Sequence, residues 1–149
     1  EDSALILRFV KELAIYERAE NEVIATVSDI KISLFGGNST TSAVICDIDN
    51  EPAGFAVYFL NYSTWLGKHG LYLEDLYISR DYRGLGAGKA LLKHLAKTAV
   101  SMNCGRFEWS VLDWNESAIQ FYLSIGAKPQ SEWVGYRLEG ESLEAFAAS

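Results

Sequence analysis

Arg83-Gly84-Leu85-Gly86-Ala87-Gly88-Lys89 carries the clearest chemical signal in the chain. Glycines at alternate positions let a backbone come close to a ligand, and their N–H groups can converge on anionic oxygens. A helix is expected to begin here, adding the positive end of its dipole, so a phosphate or pyrophosphate is the natural guest. Two familiar glycine loops are excluded by single residues. A dinucleotide GxGxxG started at Gly84 needs glycine at 89, where Lys89 stands. A Walker loop ending at Gly88-Lys89 needs glycine at 83 and Ser or Thr at 90, where Arg83 and Ala90 stand. The pattern left is Arg-x-x-Gly-x-Gly, for which a plain glycine turn before a helix is the competing explanation. A second signal is Trp114-Asn115-Glu116-Ser117-Ala118-Ile119-Gln120-Phe121-Tyr122, followed by Gly126-Ala127. Here Asn115 also reads as a helix cap and the two aromatics as packing. The third is Leu73-Glu74-Asp75-Leu76, two carboxylates inside an apolar strand. They are costly there unless solvated or paired, and strand neighbours point to opposite faces, so at least one should face a cleft or an interface.

The elements that must position these residues follow from periodicity. Leu5, Phe9, Leu13 and Tyr16 repeat at helical spacing, giving a helix over about 4–17 with Asp2 or Ser3 as cap. Ser28-Asp29 is expected to cap a second helix that Gly36-Gly37 ends. Strands are expected at Ser42–Ile48 and Ala53–Asn61, with Asp49-Asn50-Glu51-Pro52 as the hairpin turn, then a loop over Tyr62–Gly70 that contains Trp65. A strand at Leu71–Ile78 leads into the glycine turn, and Leu91, Leu92, Leu95, Ala96, Ala99 and Val100 mark one face of a helix over 87–104. A strand at Arg106–Leu112, a helix at Glu116–Ile125 closed by Gly126, short strands near Lys128–Glu132 and Tyr136–Leu138, and a helical tail complete the order. The alternation of helices and strands, with hairpins, implies an α/β fold (α+β in its mixed sheet).

Composition narrows the class. The 149 residues suit one domain over 1–149, and 49% are hydrophobic, enough for a real core. A net charge of −7 works against nucleic acid and favours cationic ligands. Cys46 and Cys104 are far apart and there are two histidines, so no metal is expected, and the thiols read as one disulfide or, more commonly, as free cysteines. No apolar run approaches the ~20 residues of a membrane span, so no membrane partner is expected and a cytoplasmic location is. The chain starts Glu-Asp-Ser without an initiator Met, and a short preceding stretch is expected.

Arg83, Gly86 and Gly88 in Arg-x-x-Gly-x-Gly resemble the pyrophosphate signature of the GNAT N-acetyltransferases. Asn115-x-x-Ala118-x-x-Phe121-Tyr122 with Gly126-Ala127 is similar to the second acyl-CoA segment of that family. Glu12-Leu13-Ala14, Tyr16-Glu17, Trp65-Leu66-Gly67-Lys68, Tyr72-Leu73-Glu74-Asp75 and Asp81-Tyr82-Arg83-Gly84 resemble its diamine (spermidine/spermine) N-acetyltransferase group over nearly the whole chain. Ser63, where polyamine-specific members carry an acidic residue, and Leu112-Asp113-Trp114-Asn115 look more like the branch that prefers thialysine-like amino acids. The resemblance implies a twisted mixed sheet opened by two splayed strands, here Leu71–Ile78 and Arg106–Leu112, and usually a homodimer.

It further implies acetyl-CoA as co-substrate, held by Leu76, Tyr77, Ile78, the run Arg83, Gly84, Leu85, Gly86, Ala87, Gly88, Lys89, and Asn115, Ser117 and Tyr122. Tyr16, Glu17, Trp65, Glu74 and Asp75 would line the site of a small cationic amine. An ammonium with a pKa near ~10.4 must lose a proton before it attacks, and Glu74 is the expected base. Backbone N–H groups at Leu76–Ile78 would hold the oxyanion, and Tyr122 would protonate the departing thiolate. No covalent enzyme intermediate is required. Other acceptors in the same family (an aminoglycoside, a protein amino group), a non-catalytic acyl-CoA sensor and a protein-binding adaptor remain as alternatives.

Overall fold

The computed structural model describes residues 2–149. Two compact units are distinguished, Glu1–Leu112 and Asp113–Ser149. The first holds helices α1 (Ser3–Tyr16) and α2 (Val27–Phe35), strands β1 (Thr41–Ile48), β2 (Glu51–Ser63) and β3 (Lys68–Ile78), helix α3 (Ala87–Ser101) and the short strand β4 (Phe107–Glu108). The second holds α4 (Glu116–Ser124) and α5 (Gly140–Ala148).

The strands lie in the order β1-β2-β3-β4, with antiparallel pairs up to β3 and a parallel β3–β4 pair reached through α3. The sheet is mixed, as the alternation of hairpins and helices implies. Phe9 of α1 stacks on Phe55 of β2 with centroids 5.5 Å apart, and both are wholly buried with Ile6. Val57 and Tyr77 extend this core across β2 and β3, and Ile30, Leu34, Ala43 and Ile45 close it from α2 and β1. Each fully buried large side chain contributes roughly 1.5–3 kcal/mol by leaving water. Ile78, one residue on from Tyr77 and so on the other face, meets the start of α3 near Gly88.

Several expected boundaries move for identifiable reasons. Thr26, not Ser28, caps α2: its hydroxyl accepts from the Asp29 N–H, and the Asp29 carboxylate accepts from the Thr26 N–H, a reciprocal capping box. Asp2 occupies the cap position of α1 without a side-chain cap bond. The first hairpin turns on Asp49 and Asn50 alone, both at positive φ (52° and 65°), so β2 already starts at Glu51. The expected loop over Tyr62–Gly70 is mostly strand. Ser63 closes a tight turn at residues 64–67, its hydroxyl accepting from the Leu66 N–H (3.2 Å) and its carbonyl from the Gly67 N–H (2.9 Å).

The expected strand Arg106–Leu112 is paired only at Phe107 and Glu108, opposite Leu71 and Tyr72. Beyond Tyr72, β3 runs on to Ile78 with no partner on that side, so the two strands part, as the splay requires. The short strands near Lys128–Glu132 and Tyr136–Leu138 do not form. Pro129 has no N–H to donate and Trp133 N–H turns back to the Gln130 carbonyl, while Arg137 pairs locally with Glu139 at 3.5 Å. Cys46 and Cys104 are free.

Candidate active site

The two carboxylates on β3 owe their placement to a bulge. Val57 lies opposite Asp75 but Tyr58 lies opposite Leu73, so Glu74 is an extra residue with no partner on β2. Glu74 is exposed and Asp75 half-buried. Burial, then the nearby Glu74 and Glu17 carboxylates, pushes the Asp75 carboxyl up to about 6. Partial burial also raises Glu17, at the C-terminal end of α1. Glu17, Glu74 and Asp75 thus form one acidic group where α1 ends against the sheet, suited to receive a cation.

Tyr16 joins this group to the glycine loop. The Arg83 guanidinium lies over the Tyr16 ring at 5.0 Å and the Tyr77 ring at 5.4 Å, while Arg83 Nε donates to the Ile78 carbonyl at 3.0 Å. Arg83 therefore braces the loop against α1 and β3. Ser79 Oγ donates to Glu12 at 2.8 Å, and Glu12 pairs with Arg8 at 3.3 Å, a second tie between α1 and the end of β3.

Gly84 and Gly86 both sit at φ +82°, a conformation that a side chain would strain, and Gly86 is the N-cap residue of α3. The Gly86 carbonyl accepts from the Ala90 N–H, so the N–H groups of Ala87, Gly88 and Lys89 precede the first intrahelical donor and point out of the helix end. Leu85 is 67% exposed, which places it on the open side of the loop, whereas Ala87 is buried. Leu76, Tyr77 and Ile78 pair with Ala56, Phe55 and Gly54 on β2, while their other edge faces the splay. Trp65, at the hairpin tip, is 81% exposed. It stands roughly 20 Å of strand away from Glu74, at about 3.3 Å per residue. Trp65 and Glu74 are not brought together.

In the second unit, Asn115 caps α4, its Oδ1 accepting from the Ala118 N–H and the Ser117 hydroxyl at 3.5 Å each. Those bonds are long, so the cap is weak. Tyr122 is half-buried on α4, its ring 5.9 Å from that of Phe121. Gly126, at φ 92°, follows the helix end.

A profile of the acetyltransferase (GNAT) family matches residues 10–127. The chain belongs to the acetyltransferase (GNAT) family. It is 34% identical to a thialysine N-epsilon-acetyltransferase of Sus scrofa, over 98% of this chain and 92% of that one. It is 47% identical to an L-ornithine N5-acetyltransferase of Arabidopsis thaliana, over 66% of this chain and 43% of the relative. An integron cassette protein from the mobile metagenome of V. cholerae superposes with a TM-score of 0.81 at 30% identity, covering 99% of this chain and 91% of that one.

A GNAT enzyme uses acetyl-CoA, and the loop fits such a guest. Gly88 is the informative glycine. Its φ is ordinary, and an added Cβ would meet only Ile78 Cγ1, at 3.8 Å. The fold does not require glycine there, whereas close approach of a pyrophosphate to the helix end does. Sequence reasoning singled out the glycine-loop and carboxylate residues but missed the bulge, for which two adjacent acids in a strand are the only local signal. It also missed that Asp75, not Glu74, is the buried member of the pair.

Proposed function

We propose that this GNAT enzyme transfers the acetyl group of acetyl-CoA to a primary amine of a small, cationic acceptor of the diamine or lysine-like class. The observation that carries this reading is the bulge that gathers Glu74 and Asp75 beside Glu17, next to a glycine cradle. Thialysine and ornithine, the acceptors for which the two relatives are named, each carry two amino groups. A group of three carboxylates suits such cations better than it suits a neutral amine.

Each residue has a distinct task in this reading. The N–H groups from Gly86 to Lys89 hold the pyrophosphate. Acetyl-CoA supplies an activated acyl group, so the enzyme needs no nucleophile of its own. Asp75 and Glu17 draw in the ammonium, with Tyr16 beside them, while Trp65 at the hairpin tip is too far from Glu74 to touch a small acceptor. Glu74, exposed and therefore in contact with water, accepts the proton directly or through a water. Backbone N–H groups at Leu76–Ile78 on the open edge of β3 stabilise negative charge on the carbonyl oxygen. The Tyr122 hydroxyl returns a proton to the departing sulfur. The enzyme is a homodimer, and the exposed apolar residues Trp133, Val134, Tyr136 and Phe146 of the second unit are consistent with a further surface being covered.

The test is a turnover screen with acetyl-CoA against diamines, polyamines, lysine analogues and aminoglycosides. Turnover of diamines or lysine analogues is the expected result. Aminoglycoside turnover alone would sink the acceptor class, and CoA binding without any turnover would favour a sensor.

A further inference from the structure

Gly70 is buried in the interior of β3, where a residue without a side chain weakens a strand. A Cβ there would collide with Asn61 Oδ1, from its pairing partner on β2, and would crowd the Arg106 carbonyl. The bare backbone lets Asn61 reach over β3, where its Nδ2 donates to Glu108 Oε1 on β4 at 3.4 Å. Two strands that are not neighbours are thus linked across the one between them. Glu108 is half-buried, and among the described residues no cationic side chain pairs with it. Its negative charge on this face therefore has no counter-charge of the chain's own among those residues.

The bulge decides which way Glu108 faces relative to the reacting end. Val57, Phe59 and Asn61 alternate along β2 and so share one face. Because Glu74 is the extra residue, Asp75 lies opposite Val57 and Tyr72 lies opposite Phe59, which puts Asp75 and Tyr72 on that same face. Glu108 is the lateral neighbour of Tyr72 on β4 and bonds Asn61 on this face too. Between the carboxylates, the Tyr72 and Phe59 rings lie 5.3 Å apart, and the Tyr72 hydroxyl is 2.9 Å from Ser110 Oγ. Three residues of strand plus one strand spacing separate the Asp75 and Glu108 backbones by roughly 10 Å. Four or five carbons joined by bonds of about 1.5 Å hold two nitrogens roughly 6–8 Å apart, which two carboxylate side chains can bracket.

We propose that Glu108, oriented by Asn61 over Gly70, binds the second ammonium of an amine acceptor whose reacting nitrogen lies at Glu74 and Asp75. This rests on the amine-acetylating reading above and names the residue that sets acceptor length and charge. The aromatic pair supports the carbon chain between the two charges.

The test uses the full chain, acetyl-CoA and two probes of equal length, 1,5-diaminopentane and pentylamine. The unaltered enzyme should favour the diamine at least about tenfold in kcat/KM. Glu108→Gln should lose about 10- to 100-fold on the diamine, as expected for a hydrogen bond to a charged group, mainly through KM. Its rate with pentylamine should stay within about twofold, because that acceptor makes no contact there. Asn61→Ala should shift the same ratio by less, and it keeps the test open if Glu108→Gln folds poorly. Equal losses on both probes, or no loss on either, would overturn the proposal. Equal turnover of both probes by the unaltered enzyme overturns it while leaving amine acetylation intact. No turnover of either amine by a chain that binds CoA removes the functional reading, and this inference with it.

Discussion

Glu74 and Asp75 adjoin in sequence yet meet different surroundings, so replacing each should have a different effect. Asp75, half-buried with a carboxyl at about 6 against an ordinary 3.8, is destabilising when ionised. The sign follows from linkage: a folded pKa above the unfolded one gives stability that is full below about pH 4 and lost as pH rises through about 6. Asp75→Asn should therefore raise the melting temperature at pH 8 and leave it nearly unchanged at pH 4. Its gain at pH 8 has an upper limit of about 3 kcal/mol at roughly 1.4 per pH unit. A melt that shows the same difference at both pH values would mean that the charge is not what destabilises. Glu74→Gln should behave otherwise, acting on catalysis. Its kcat should fall most at low pH, where the acceptor is fully protonated, and recover toward the amine's own pKa near ~10.4. A defect confined to KM at every pH would reassign Glu74 from base to cation binding.

At the scale of elements, the proposed acyl-donor site joins the start of α3 to the open edge of β3. Gly84 and Gly86 are explained by their positive φ, so Gly86→Val would disturb the loop itself as well as any ligand. Gly88→Ala is the cleaner experiment, since its Cβ has room beside Ile78. It should stabilise the fold by up to about 1 kcal/mol, because Ala restricts the unfolded chain and favours helix. It should also weaken CoA binding at least tenfold, a loss of about 1.4 kcal/mol, by standing where the pyrophosphate approaches. Calorimetric titration with CoA beside a thermal melt reads both. Stabilisation with unchanged CoA affinity would leave the glycine without a ligand-based reason.

For the whole molecule, light scattering at micromolar concentration should give a particle of twice the 16.6 kDa chain. A 16.6 kDa particle would show a monomer. Among the described residues no helix is long and apolar enough to cross a membrane, and no group of three or more His, Cys, Asp or Glu is placed to hold a metal ion.

Residues 83–88 and 115–127 are legible in the sequence because glycines, a cap and an αL helix end encode local backbone geometry in their own side chains. The three main helices and the first three strands are legible for the same local reason, through apolar spacing along one chain segment. Pairing is not. Whether Trp109–Leu112 follows β3 depends on a bulge and a twist shared by two distant segments, and the spacing of residues within one segment carries no record of them. The strands expected after Ala127 likewise need a partner edge, which spacing within that segment does not encode. The parity change at Glu74 brings Tyr72, Glu108 and Asn61 onto the face of Asp75, which no reading of alternation along β3 alone predicts. Sequence determined the chemistry available and the backbone geometry of the glycine loop. Tertiary structure alone decided which carboxylate is buried, which is exposed and which looks across the sheet, because burial and facing belong to pairs of strands.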